Sequence, residues 1–185
     1  GFCTLGLCGI SGAMRNADGE PKLHDELVTL LEFHQPAKVL FLGDSDAVLN
    51  SDFSREAAKL HKTLFASKRF QFVQEVRVAI CPLDGPKGVD DVRGARGEQF
   101  SAWFESLAES AFVVPSKASP AEIFCALLRR EIEAVRAAVT GDNHDAHRSM
   151  VKLLQSAGRL QRETGAMLKI KPLLADALSV KEAAI

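Results

Sequence analysis

Residues 39–51, VLFLGDSDAVLNS, place Asp44 and Asp46 one residue apart where an apolar run stops, with Ser45 between them. Two carboxylates crowded at the mouth of a sheet repel each other unless a cation or a proton intervenes. Hard divalent ions such as Mg²⁺ choose oxygen ligands of this kind and keep several waters. Ligand sites in parallel sheets lie beyond the carboxyl ends of the strands, which is where this Asp-Ser-Asp falls. Asp44 and Asp46 are therefore a candidate pair for Mg²⁺ or Mn²⁺. The competing explanation is a helix-capping aspartate followed by a solvated one. A second acidic pair, Asp90 and Asp91, closes the stretch CPLDGPKGVDD and also follows a strand-like run. The two pairs are expected to converge on one acidic pocket.

The elements that must position these residues alternate. FCTLGLCGISG reads as a short buried strand running into a glycine-rich loop. Leu23, Leu27, Leu30 and Leu31 recur at helical spacing, and Gln35-Pro36 ends that helix. KVLFL is the next strand, and Phe53, Ala57, Leu60 and Leu64 mark a second amphipathic helix. FVQEVRVAICP follows as a strand with Val76, Val78 and Ile80 alternating; a charged loop, a helix around Trp103 and the short strand AFVV come after it. Strand and helix in alternation predict a parallel sheet covered by helices over residues 1–115. Residues 116–185 read as an α-helical appendage. SPAE opens it with a capping box, and Ile123, Leu127, Leu128, Ile132, Val135 and Val139 give its apolar stripe. TGDN breaks that helix, and a second carries Met150, Leu153, Leu154 and Leu160, so that two antiparallel helices are expected over 119–166. A third opens at Pro172.

The chain is long enough for one domain with an appendage, and 46% hydrophobic against 25% charged residues provides for a sizeable core and argues against disorder. A net charge of −1 announces no polyanion partner, but the charge is uneven: residues 1–115 carry net −4 and residues 116–185 net +3. Cys3, Cys8, Cys81 and Cys125 form no C-x-x-C pair. With no signal peptide and no apolar run able to span a bilayer, they read as reduced thiols of a cytoplasmic protein. The chain begins at Gly1, directly in an apolar run, which is read as a protein that continues upstream.

Three families share the spelling of the Asp-Ser-Asp motif. Lipase-like hydrolases place a nucleophilic serine in GDS, as Ser45 would be, but need a D-x-x-H for their base. GDNHDAH at 141–147 offers His144 and His147 without that spacing. Haloacid-dehalogenase phosphatases carry hydrophobic-D-x-D-x-T/V, which FLGDSDAV matches with Asp44 as nucleophile and Asp46 as acid. Lys87 and Asp90-Asp91 would meet their later motifs. That motif usually opens the fold, whereas here a strand and a helix precede it.

The ordered triple LGLCGISG, FLGDSDAVLN and CPLDGPKGVDD resembles the TOPRIM superfamily, and most nearly the TOPRIM-like domain of unknown function in phage and plasmid primase–helicase proteins. There a strand ending GLxG precedes a strand ending D-S-D, and P…KG-[IV]-DD follows. The resemblance covers residues 1–114 and implies a parallel-sheet, Rossmann-like fold. It implies that Asp44 and Asp46 hold Mg²⁺ or Mn²⁺, that Asp90 and Asp91 add to an acidic pocket, and that Lys87 meets a phosphate. Phosphoryl transfer in the full-length protein, with nucleic acid and neighbouring domains of a larger chain as partners, would follow. TOPRIM enzymes also carry a glutamate on their first strand, which the resemblance puts before Gly1. A non-catalytic module that keeps the fold to dock nucleic acid or a protein is the rival from a different class.

Smaller signals have simple explanations. The glycines of GLCGISG serve turn geometry. His144 and His147 with Asp142 and Asp145 fit a capped helix start as well as zinc. Phe100, Trp103 and Phe104 read as core. Arg129, Arg130, Arg136, Arg148, Lys152, Arg159 and Arg162 would make a basic face, but Glu131, Glu133 and Glu163 among them point to a salt-bridged surface.

Overall fold

The computed structural model describes residues 3, 5, 6, 12–17, 20–83, 85–138, 148, 149, 151–153 and 155. The chain is a mixed α/β protein. A two-stranded hairpin, β1 (Met14–Ala17) and β2 (Glu20–Leu23), leads into α1 (Asp25–His34). Then come β3 (Lys38–Gly43), α2 (Ser51–Ala66), β4 (Glu75–Ile80), α3 (Val89–Arg96), α4 (Phe100–Ser110), the two-residue β5 (Phe112–Val113) and α5 (Pro120–Ala138).

The sheet has the order β3-β4-β5. β3 and β4 are parallel neighbours, paired from Lys38 opposite Glu75 to Gly43 opposite Ile80. The sequence pattern anticipated this pairing. The sheet is not wholly parallel, however, because β5 runs antiparallel to β4, with Val113 opposite Arg77 and Phe112 opposite Val78. Ala111 alone separates α4 from β5, and one residue leaves no loop in which the chain could reverse before pairing. Arg77 fixes that corner by donating to the carbonyls of Ala108 and Glu109, both at 2.8 Å, at the end of α4.

The hairpin was not anticipated. Its strands are joined by Asp18-Gly19, a strong two-residue hairpin signal, and Leu23 ends β2 instead of opening the first helix. The helix starts two residues later and stops as expected: Gln35 takes a left-handed φ of 44° and its N–H donates to Leu31 O, with Pro36 following. Bidentate hydrogen bonds from Arg15 to Asp25 tie hairpin to helix.

Between the sheet and helices α2 and α5 lies the main core. Phe53, Ala57, Leu60 and Leu64 of α2, Val76, Val78 and Ile80 of β4, and Ile123, Phe124, Leu127, Leu128 and Ile132 of α5 are buried in one cluster, with Leu153. The helical segment therefore completes the core of the α/β part. Ser119 caps α5 as its sequence predicts, accepting from Glu122 N–H while Glu122 Oε2 accepts from Ser119 N–H at 2.7 Å. On the other face a small cluster of Ala79, Leu107 and Ala111 is edged by Trp103, half-buried under the Arg96 guanidinium 5.3 Å above its ring. The aromatic group around Trp103 thus lies at the margin of the core. Residues 148, 149, 151–153 and 155 are helical, as expected of the second helix, while most of the glycine-rich loop, the TGDN break, the rest of that helix and the third one expected at Pro172 lie outside the described residues. Among the described residues no helix is long and apolar enough to cross a membrane.

Because α2 and α5 share one core, Leu64→Ala and Leu127→Ala are each expected to cost about 2–5 kcal/mol and to shift the same cooperative transition in urea. Two separate transitions, with Leu127→Ala moving only one, would show that α5 folds apart from the sheet.

Candidate functional site

Parallel pairing ends β3 and β4 at the same edge, so the loops that follow them must meet. After Gly43 the chain folds into a 3-10 turn, Ser45–Leu49, and Asn50 then caps α2 by accepting from Asp52 N–H at 2.9 Å. Gly43 is needed for this return. A Cβ there would lie 2.7 Å from the Phe53 ring, which stacks on Phe41, and 2.8 Å from Ala47 Cβ. The glycine of the Gly-Asp-Ser-Asp motif lets the turn pack back onto the strand end.

The loop after β4 is fastened to this turn at two points. Cys81 N–H donates to Gly43 O at 2.9 Å, and Ser45 N–H donates to Lys87 O at 2.8 Å. The second contact presses Gly88 against Asp44: a Cβ on Gly88 would sit 3.3 Å from Asp44 Oδ1 and 3.8 Å from Asp91 Oδ2. Both carboxylates thus reach within 4 Å of one point. Asp91 Oδ2 also accepts from Gly88 N–H at 3.2 Å, which caps α3 at its positive end. Asp46 is exposed and pairs with Lys87, Oδ2 to Nζ at 3.4 Å. Asp90 is exposed in the first turn of α3.

Of the residues singled out by sequence, Asp44, Asp46, Lys87 and Asp91 are brought to one loop crossing, and Asp90 stands beside it. Ser45 is only 7% exposed, and its N–H fastens the neighbouring loop. His144 and His147 lie outside the described residues. Among the described residues no three His, Cys, Asp or Glu side chains are gathered as a metal-ligand cage. A carboxylate pair on a wet edge instead suits a hard ion that takes one or two carboxylates and keeps its waters. Of the basic face, Arg130 is used internally, donating to Ser110 O and Ser110 Oγ at 2.9 Å.

No protein-family model, curated protein or solved structure matches the chain.

Two features escaped the sequence reading. Cys81 lies in the midst of the site, its thiol pushed up to about 11, first by burial and then by the carboxylates of Asp44, Asp91 and Glu131. Glu131, expected on a salt-bridged surface, is buried, and its Oε2 accepts from Leu83 N–H at 3.1 Å. The available signal was its spacing: Glu131 falls four residues after Leu127 and three after Leu128, within the apolar stripe of α5.

The raised Cys81 thiol sets a direction for alkaline behaviour. In the unfolded chain the thiol ionises near 9.0, whereas the folded protein keeps it protonated to about 11. Its contribution to stability is full below pH 9 and is lost as pH rises through about 11. Denaturant midpoints at pH 8 and at about pH 10.5 should fall more for the wild type than for Cys81→Ala. Equal falls would refute the assignment.

Proposed function

We propose that the chain is a TOPRIM-like, Rossmann-like domain, its β3–β4 core parallel and its edge strand β5 reversed, that binds Mg²⁺ or Mn²⁺ within a mobile-element DNA replication protein, associated with a primase or helicase. Phosphoryl transfer belongs to the full-length protein, which acts in the cytoplasm with nucleic acid and its own neighbouring domains as partners. The observation that carries this reading is the meeting of Asp44 and Asp91 at Gly88, at the shared carboxyl edge of β3 and β4. A site of this form needs acidic residues from two different loops held on a rigid sheet edge.

In this reading Asp44 and Asp46 would hold the ion, and Asp90 and Asp91 would deepen the negative potential that attracts it. A bound ion would supply charge neutralisation for a phosphate at this edge. Lys87, 3.4 Å from Asp46, guards the edge as a cation and exchanges that carboxylate for a phosphate oxygen when substrate arrives. Ser45 keeps Lys87 in place through its backbone N–H.

The Lys87–Asp46 pair also favours a second reading, a haloacid-dehalogenase-like phosphatase with Asp44 as nucleophile and Asp46 as acid. The two differ in turnover. Calorimetric titration with Mn²⁺ should give weak binding that Asp44→Asn abolishes, and unchanged binding in that variant would reject the site. Hydrolysis of p-nitrophenyl phosphate with Mg²⁺ should be absent; metal-dependent turnover lost in Asp44→Asn would establish the phosphatase instead. A chain with neither metal binding nor turnover would leave the docking module.

A further inference from the structure

We infer that Glu131 of α5 is the positioning residue of this site: its buried carboxylate holds the loop between β4 and α3, and with it Lys87, Gly88 and Asp91, against Asp44. The functional consequence rests on the proposed metal-binding reading, whereas the latch itself rests on geometry alone.

Residues 81–88 must cross from β4 to α3 and deliver Gly88 to the Asp44 carboxylate. Pro82 and Pro86 remove two of the loop's own backbone donors. The loop is fastened to the β3 side at its start, through Cys81 N–H, and near its end, through Lys87 O. Midway, Leu83 N–H donates to Glu131 Oε2 at 3.1 Å, across 48 positions of sequence. Glu131 is 5% exposed, in a helix face whose neighbours Leu127, Leu128 and Ile132 are buried. A carboxylate there is costly unless it is hydrogen-bonded, and a leucine would pack the same stripe without that cost. The bond to Leu83 N–H is one that a leucine could not make. The three carboxylates that bear on the Cys81 thiol, Asp44, Asp91 and Glu131, belong to the turn, the helix and the latch that meet around the loop. α5 thereby couples the helical segment to the loop geometry of the site. Glu131 acts through the loop and is given no role as a ligand.

Hydrogen–deuterium exchange on the whole chain tests the latch in wild type, Glu131→Ala and Glu131→Gln. In Glu131→Ala, peptides covering residues 81–91 should exchange about tenfold faster or more, with β3 and β4 as protected as before. Cys81 should alkylate faster in parallel. Glu131→Gln keeps an acceptor oxygen for Leu83 N–H and should recover most of the protection. Unchanged loop exchange in Glu131→Ala would overturn the inference. So would an equal rise through β3, β4 and α2, or a Gln variant as open as the Ala variant. Mn²⁺ titration of the same three proteins should show affinity weakened in Glu131→Ala and regained in Glu131→Gln. Absence of Mn²⁺ binding in the wild type would defeat the metal-binding reading, while the exchange result would still decide the role of Glu131.

Discussion

Six consecutive parallel pairs between β3 and β4 are the constraint on which the site depends. Parallel strands end at the same edge, and α2 with its flanking turns is the crossover that makes the pairing possible. Once Gly43 lies opposite Ile80, the residues that follow each strand have no choice but to be neighbours. Cys81 N–H to Gly43 O extends the ladder by one more bond, and Ser45 N–H to Lys87 O closes the two loops on each other. The acidic residues are brought together as a by-product of backbone pairing, and buried apolar side chains on β4, α2 and α5 stabilise that pairing.

Two glycines convert this proximity into close approach. At Gly43 the space of a side chain is taken by Phe53 and Ala47; at Gly88 it is bordered by two carboxylate oxygens. Carboxylates so placed repel, and the structure offsets part of that repulsion with fixed partners: Gly88 N–H and the start of α3 for Asp91, Lys87 for Asp46, and Leu83 N–H for Glu131. Of the basic second part of the sequence, Arg130 is engaged with the end of α4, and the apolar face of α5 packs in the core.

Much of the fold was legible because burial on the sheet imposes strong patterns. KVLFL and EVRVAI are strands that only a covered sheet would hold, and the spacing of Phe53, Ala57, Leu60 and Leu64 can serve only one helix face. The caps at Gln35 and Ser119 were equally plain, because their chemistry is local. The hairpin was missed because Leu23 fits both a strand end and a helical stripe, and the Asp18-Gly19 signal was passed over. The direction of β5 depends on the length of a connection that the apolar pattern does not encode. In the site, each acidic pair was visible beside its own strand. Which acids would face each other was not, because Asp91 and Glu131 are oriented by hydrogen bonds to backbone N–H groups far away in sequence or set by a helix start. A charged residue within an apolar stripe is the clue that would have revealed Glu131.

The central claim is that the β3 and β4 loop crossing is one cation site. Amide NMR of the chain titrated with Mn²⁺ tests it most directly, since the ion's unpaired electrons broaden only nearby resonances. Broadening should begin at Ser45, Asp46, Gly88 and Asp91, spare the hairpin and the far end of α5, and vanish in Asp44→Asn. Broadening spread over scattered surface acids, or persisting around Gly88 in that variant, would contradict the account.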